Sequence, residues 1–267
     1  MCKRLIPLLL LVVATPLSAQ ENPVFPRFSV SGALYQGEFT TDVRVNEEGL
    51  EGTAIGLERD LGLDDSAGLQ RFSLQWRPFN RHELALSHFS SEREGFEEID
   101  REIVFRGTTY PVRADVTTRF DAELWDVTYT YWMRKRERDG IGLMLGVSGI
   151  SLDAAIDAQA PNGSVTVTQD AKTDVPVAVI GVQGRWALSD RVLFEANAAA
   201  LPRVQLDVYS GRATRAAARI EYRVTPWLGL GAGYNYFRID GTVDELDFTG
   251  ELSMTIRGAE GFVRLAF

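Results

Sequence analysis

His88 and Ser90 stand two residues apart in the stretch "HFSSEREGFEEIDRE" (88–102), and Glu102 closes it. A histidine beside a serine hydroxyl is the start of nucleophilic chemistry. The imidazole takes the hydroxyl proton, and an acid holds the imidazole in the right tautomer. Two residues apart on a strand puts both side chains on one face. The bland alternative is an amphipathic histidine on a strand surface. Little else in the chain could do chemistry. His82 is the only other histidine, and no Cys/His cluster with metal spacing occurs. No GxSxG elbow and no phosphate-binding loop appears. The glycine-rich "GLGAGYNY" (229–236) lacks a following helix and a lysine. Its alternating glycines read as packing positions, and no cofactor is expected.

The elements that would position these residues are strands. Period-2 alternation recurs along the chain. In 69–77, Phe72, Leu74 and Trp76 oppose Arg71, Ser73, Gln75 and Arg77. In 122–134, Trp125, Val127, Tyr129, Tyr131 and Met133 oppose Asp126, Thr128, Thr130 and Arg134. The same holds for Ile141, Leu143, Leu145 and Val147, for Ala216 to Val224, and for Leu228 to Tyr236. A soluble β-sandwich alternates too. Here, however, several segments run to ten residues or more, against a usual strand of about 5–6. A tilted membrane strand needs about 9–11. Aromatics gather near segment ends, as Trp76 with Phe79, Trp125 with Tyr129, and Trp227 with Tyr234. Short connections (78–81, 135–140, 188–191, 225–227) alternate with long polar ones (36–68, 91–117, 157–172, 238–250).

The N-terminus reads as an export address. Lys3 and Arg4 precede an apolar run from Leu5 to Ala14, and Ser18 and Ala19 precede Gln20. That layout predicts a cleaved signal peptide over 1–19 and a mature domain over 20–267. The sole cysteine, Cys2, lies in the removed part, so no disulfide is expected. With 28 Lys+Arg against 37 Asp+Glu, the chain is acidic and offers no basic stripe for nucleic acid.

Export, alternation, sorted connections and the closing "GFVRLAF" together resemble the bacterial outer-membrane β-barrel proteins. In that class a terminal aromatic preceded by alternating apolar residues is an assembly signal. Here it is Phe267, Leu265 and Val263. The resemblance implies an all-β, transmembrane, antiparallel up-and-down barrel in the outer membrane. Its partners would be outer-membrane lipid, lipopolysaccharide and the barrel-assembly machinery, with the chain a monomer. "LERDLGLDD" (57–65) resembles a stretch of uncharacterised barrels of this kind.

Ten strands fit one path: 27–45, 67–77, 82–95, 117–134, 139–156, 164–187, 191–209, 212–225, 227–239 and 250–267. Eight or twelve are the alternatives, and 46–66 is expected to hold an extra hairpin or a small helix. In the last strand Leu252, Met254 and Ile256 are even, whereas Val263, Leu265 and Phe267 are odd. A bulge at 258–261 would account for the change.

The polar faces then point into the lumen. Its ionisable members are Arg71, Arg77, Asp126, Arg134, Glu195, Arg215, Arg219, Glu221 and Arg223. Paired, they make a packed polar core, because an unpaired buried charge is very costly. Unpaired, Arg215, Arg219 and Arg223 would line a narrow anion-leaning pore. The expected role is therefore a structural or narrow-pore, small-solute barrel. Two alternatives stand beside it. One is a soluble periplasmic β-domain. The other is an enzyme, since His88, Ser90 and Glu102 resemble the catalytic group of the outer-membrane lipid A 3-O-deacylases. This chain is longer than that family and lacks its Asn after the serine.

Overall fold

The computed structural model describes residues 24–47, 52–98, 102–105, 108–110, 112, 115–159, 166–205, 209–244 and 248–267. Residues 1–19, the expected signal peptide, lie outside the described residues. Ten strands form the wall: β1 (Phe28–Glu47), β3 (Ser66–Phe79), β4 (His82–Glu98), β7 (Asp115–Lys135), β8 (Asp139–Gln159), β9 (Thr166–Ala187), β10 (Val192–Gln205), β11 (Tyr209–Arg223), β12 (Leu228–Asp244) and β13 (Phe248–Ala266). Each pairs antiparallel with its sequence neighbour in the wall, and β13 pairs with β1, so the sheet closes. The two-residue β2 (Ile55–Gly56) and the helical turn α1 (Leu57–Asp60) lie between β1 and β3. A small separate hairpin, β5 (Ile103–Phe105) with β6 (Thr108–Tyr110), lies between β4 and β7. A closed sheet leaves no edge strand, which is how a β-structure satisfies its backbone in lipid.

The seam runs without interruption from Ser29↔Ala266 to Glu47↔Phe248. The pairing of β12 with β13 is equally regular. The bulge expected at 258–261 is therefore absent. Leu252, Met254 and Ile256 face the lumen, and Val263, Leu265 and Phe267 face out, on one unbroken strand.

The reason lies in a reversal of polarity along the wall. Toward the end that holds the short connections, the outward residues are apolar and exposed. They include Trp76 on β3, Leu84 and Leu86 on β4, Val127 and Met133 on β7, Leu143 and Leu145 on β8, and Leu230 on β12. Aromatic residues rim this belt: Phe28, Phe79, Tyr131, Tyr222, Trp227 and Phe267 below, and Phe72, Trp125 and Tyr234 above. Beyond it the outward residues turn polar, as in Glu92 and Glu94, Asp121 and Glu123, Arg238 and Asp240, and Glu251 and Arg257. There the inward residues turn apolar instead. Phe39, Leu69, Phe89, Phe120, Val177, Val179, Ile239, Met254 and Ile256 form one buried cluster. Where lipid lies outside, apolar side chains point out; where water lies outside, they point in.

The stretch 52–65 contributes to this outer half. Above Ser66 the wall strand β3 ends, and β2 takes its place beside β1 through Asp42↔Gly56 and Val43↔Ile55. Leu63 bridges to Gly95 of β4 on the other side. Ile55, Leu57, Leu61 and Leu63 are buried in the apolar cluster. Of the hairpin and the small helix expected in 46–66, the described residues hold the helical turn.

At the opposite end the segment before β1 closes the mouth. Val24 and Phe25 are buried with Trp132 and Leu193. The Phe25 and Trp132 rings meet edge to face at 4.9 Å.

Candidate functional site

The lumen within the belt is filled by ion pairs arranged in tiers. In the lowest, Arg185 on β9 donates to both carboxylate oxygens of Glu83 on β4, at 2.8 and 2.7 Å. Its Nε lies 2.9 Å from Glu195 on β10, an ion pair off the line of a hydrogen bond. Arg264 on β13 donates to both oxygens of Glu195, at 3.1 and 2.6 Å. It also lies 2.8 Å from Glu221 on β11. Trp132 Nε1 donates to Glu83 at 3.3 Å. Five charged side chains from five strands thus cross the lumen, all of them buried. Ionised carboxylates accept such paired donors strongly.

In the next tier Glu260 accepts from Arg71 at 3.0 Å and from Arg219. Arg71 also donates to Asn235 at 3.1 Å. Above it, Asp126 accepts from Arg215 at 2.7 Å, from Ser148 at 2.6 Å and from Thr128 at 2.8 Å. Small residues opposite these side chains make the room. A Cβ at Gly146 would lie 2.9 Å from Arg215, and one at Gly231 would lie 2.2 Å from Phe262.

Of the nine ionisable residues expected in the lumen, eight face it. Arg77 does so at the mouth, where it donates to the Phe25 carbonyl at 2.6 Å and braces the segment before β1. Arg134 does not. The register of β7 shifts between Trp132 and Arg134, and Arg134 turns to Asp139 at the hairpin, 2.9 Å away and half exposed. Sequence reading missed Glu83, Arg185, Glu260 and Arg264, which the tiers require. Alternation carried the signal for two of them: Glu83 precedes outward Leu84, and Arg264 sits between outward Val263 and Leu265.

The outer half holds one more buried cation. Arg93 donates to Glu58 of α1 at 2.6 Å and to the Asp64 carbonyl at 3.2 Å. Its guanidinium lies 4.1 Å from the Phe39 ring centre and 5.1 Å from that of Phe120. Glu58 in turn accepts from the Thr41 amide at 2.7 Å. One carboxylate therefore ties the 52–65 segment to β1 and to β4.

His88 and Ser90 face outward at the upper edge of the belt. His88 Nε2 lies 2.8 Å from Glu123 Oε1, and Trp125 Nε1 donates to the same oxygen at 3.1 Å. The His88 and Trp125 rings are 4.2 Å apart. The acid against His88 is thus Glu123, not Glu102. Glu102 lies past the end of β4, whereas Glu123 is the cross-strand partner of Ser90. No hydrogen bond joins His88 to Ser90 among the described residues. His82 belongs to the lower rim, with Tyr129 Oη 2.7 Å from its Nδ1.

Also above the belt, Asp240 accepts from Arg238 at 2.9 and 3.0 Å, from Ser253 at 2.8 Å and from Arg212 at 2.8 Å. Arg238 foremost, with Ser253 and Arg212, holds its carboxyl well below the usual carboxylate range, against the opposing pull of partial burial. On the far side Asp121 stands opposite both Glu92 and Asp153. Burial, then the Glu92 charge, pushes its pKa up.

No protein-family model and no curated protein matches the chain. Solved structures do. The outer-membrane protease OmpT of Escherichia coli is 10% identical, with 90% of this chain and 97% of that one covered, at a TM-score of 0.56. The fold is that of a bacterial outer-membrane β-barrel. The translocator domain of the autotransporter NalP from Neisseria meningitidis gives 12% identity, 90% and 88% coverage and a TM-score of 0.47. The toluene transporter TodX of Pseudomonas putida gives 10%, 90% and 90%, and 0.38. At such identities the likeness is one of fold alone. In barrels of this kind short turns are periplasmic and long loops extracellular. The segment before β1 and the ion tiers then lie toward the periplasm, and the half with the apolar interior lies outside the cell.

Proposed function

We propose that this chain is a closed outer-membrane barrel with a structural role, and that its lumen does not conduct. The observation that carries this is the buried chain Glu83–Arg185–Glu195–Arg264–Glu221 across the lumen. Its three carboxylates hold Arg185 and Arg264 between them, so neither of these two guanidinium groups is left for a passing anion. Reconstituted in planar bilayers, the wild type is expected to show no stepwise conductance. Arg185→Ala, which removes the central cation, is expected to introduce transient openings. Steps in the wild type would overturn the reading. The barrel is read as a monomer that contacts outer-membrane lipid and lipopolysaccharide, inserts through the barrel-assembly machinery, and has no nucleic-acid partner.

The pairing of His88 with Glu123 beside Ser90 favours a second reading, a lipid hydrolase. His88 would take the Ser90 proton, and Ser90 would attack an ester carbonyl. The released alcohol would regain that proton from His88, and water would then free the acyl group. The closed-barrel reading predicts unchanged lipid A mass spectra in cells producing the protein. Loss of one acyl chain that disappears with Ser90→Ala would establish the hydrolase instead.

A further inference from the structure

Above the highest ion tier, four lumen-facing positions stand in one cross-strand row. Gly211 on β11 pairs with Gly241 on β12, Gly241 with Leu252 on β13, and Leu252 with Val43 on β1. A cavity of about 420 Å³ is centred on this row, with Ala54 of the 52–65 segment on its border. The two glycines create the space. A Cβ built on Gly241 would meet only the Ser210 carbonyl, at 3.7 Å. One on Gly211 would meet only β12 backbone, at 3.1 Å and beyond.

The row below is Ala213, Ile239, Met254 and Thr41; the first three are buried in the apolar cluster, and the buried Thr41 hydroxyl accepts from Arg93. The charged residues that border the cavity, Asp42, Arg44, Arg212, Asp240 and Glu251, alternate with the four members of the row and therefore stand at outward positions of the wall. Asp240 is already held by three donors there. Under the largely apolar floor, Arg215 and Asp126 shut the lumen.

We propose that this chamber is a binding site for a small, neutral, largely apolar molecule that reaches it from the cell exterior. Its size is that of small-ligand sites, about 300–1,000 Å³. Its lumen-facing lining is Val43 and Leu252, with Ala54 at the border and bare glycine backbone between. Such a lining removes apolar surface from water, and no ionisable side chain stands at its lumen-facing positions to pair with a charge. The floor makes the site blind, so it binds and does not conduct.

The test uses the full barrel in amphipol, titrated calorimetrically with indole as the neutral probe and indole-3-acetate as its charged counterpart. Saturable indole binding is expected, with indole-3-acetate at least ten-fold weaker. Gly241→Leu, which fills the chamber, should abolish binding, whereas Thr255→Leu, at an outward position of β13 away from the chamber, should not. Ala54→Trp blocks the border from a different element and should abolish binding too, which keeps the test decisive if Gly241→Leu does not assemble. Heat-modifiable migration on gels checks assembly of each variant. Three results overturn the proposal: no saturable binding to the wild type, binding indifferent to both blocking variants, or equal binding of the two probes. None of them touches the conductance result on which the closed-barrel reading stands.

Discussion

Arg185 shows at one residue how the lumen is held. Its guanidinium serves Glu83 bidentately and Glu195 through distance alone. Truncating one member of a buried pair leaves a charge without compensation and costs about 3–5 kcal/mol. Arg185→Leu should lower the temperature at which the barrel loses its heat-modifiable form. Restoring charge balance with Glu83→Leu in the same chain should recover most of the loss, because an apolar pair can replace a buried ion pair at little cost. If the double variant is weaker than the single one, the pair stabilises the barrel beyond mere neutralisation. The same scale explains why Glu123 escaped sequence reading. It lies 35 residues from His88, and only the register of β4 against β7 brings them together. Glu102 was nearer in sequence and is unrelated in space.

Among the elements, the 52–65 segment, like the small β5–β6 hairpin, is one that alternation could not describe. It contains two residues of strand and one helical turn, too short for any period to show. Beside the β2 pairing, the Leu63 bridge and four buried apolar side chains, Glu58 is the carboxylate that ties it to both β1 and β4, and its removal leaves the buried Arg93 between two aromatic rings without its ion pair. Glu58→Ala is expected to loosen this segment while the ten wall strands stay paired. Arg59 is well exposed beside it, so trypsin should cut there at least ten-fold faster in the variant. Cleavage spread over many sites would mean that Glu58 supports the whole barrel. The wall strands, in contrast, were legible from alternation and from turn residues, and all ten lie within a few residues of the expected bounds. At the outer ends β12 and β8 run further than expected, to Asp244 and Gln159, whereas β9 begins at Thr166 and β10 ends at Gln205, inside the expected 164 and 209.

At the scale of the molecule, alternation was read as one rule for the whole chain, and it is two. The reversed parity of Leu252, Met254 and Ile256 was visible in the sequence, but it reports a change of solvent, not a bulge. A tag inserted between Gln159 and Thr166 should be reached by antibody on intact cells, since that connection joins two strands at the outer end. The change of solvent has a thermodynamic consequence. Within the belt, lipid replaces water and the sheet is fixed by its closed backbone bonding. Outside it, the apolar cluster is held by burial from water, which urea weakens and which carries a heat-capacity change on exposure. The outer half should therefore yield to urea first and soften on cooling, in the manner of a soluble domain. All five tryptophans, Trp76, Trp125, Trp132, Trp186 and Trp227, lie in or at the belt, so their fluorescence should be blind to this event. A thiol placed at Ile239 should see it, becoming reactive at urea concentrations where the tryptophan signal has not yet moved. Coincident transitions would instead make the two halves one cooperative unit.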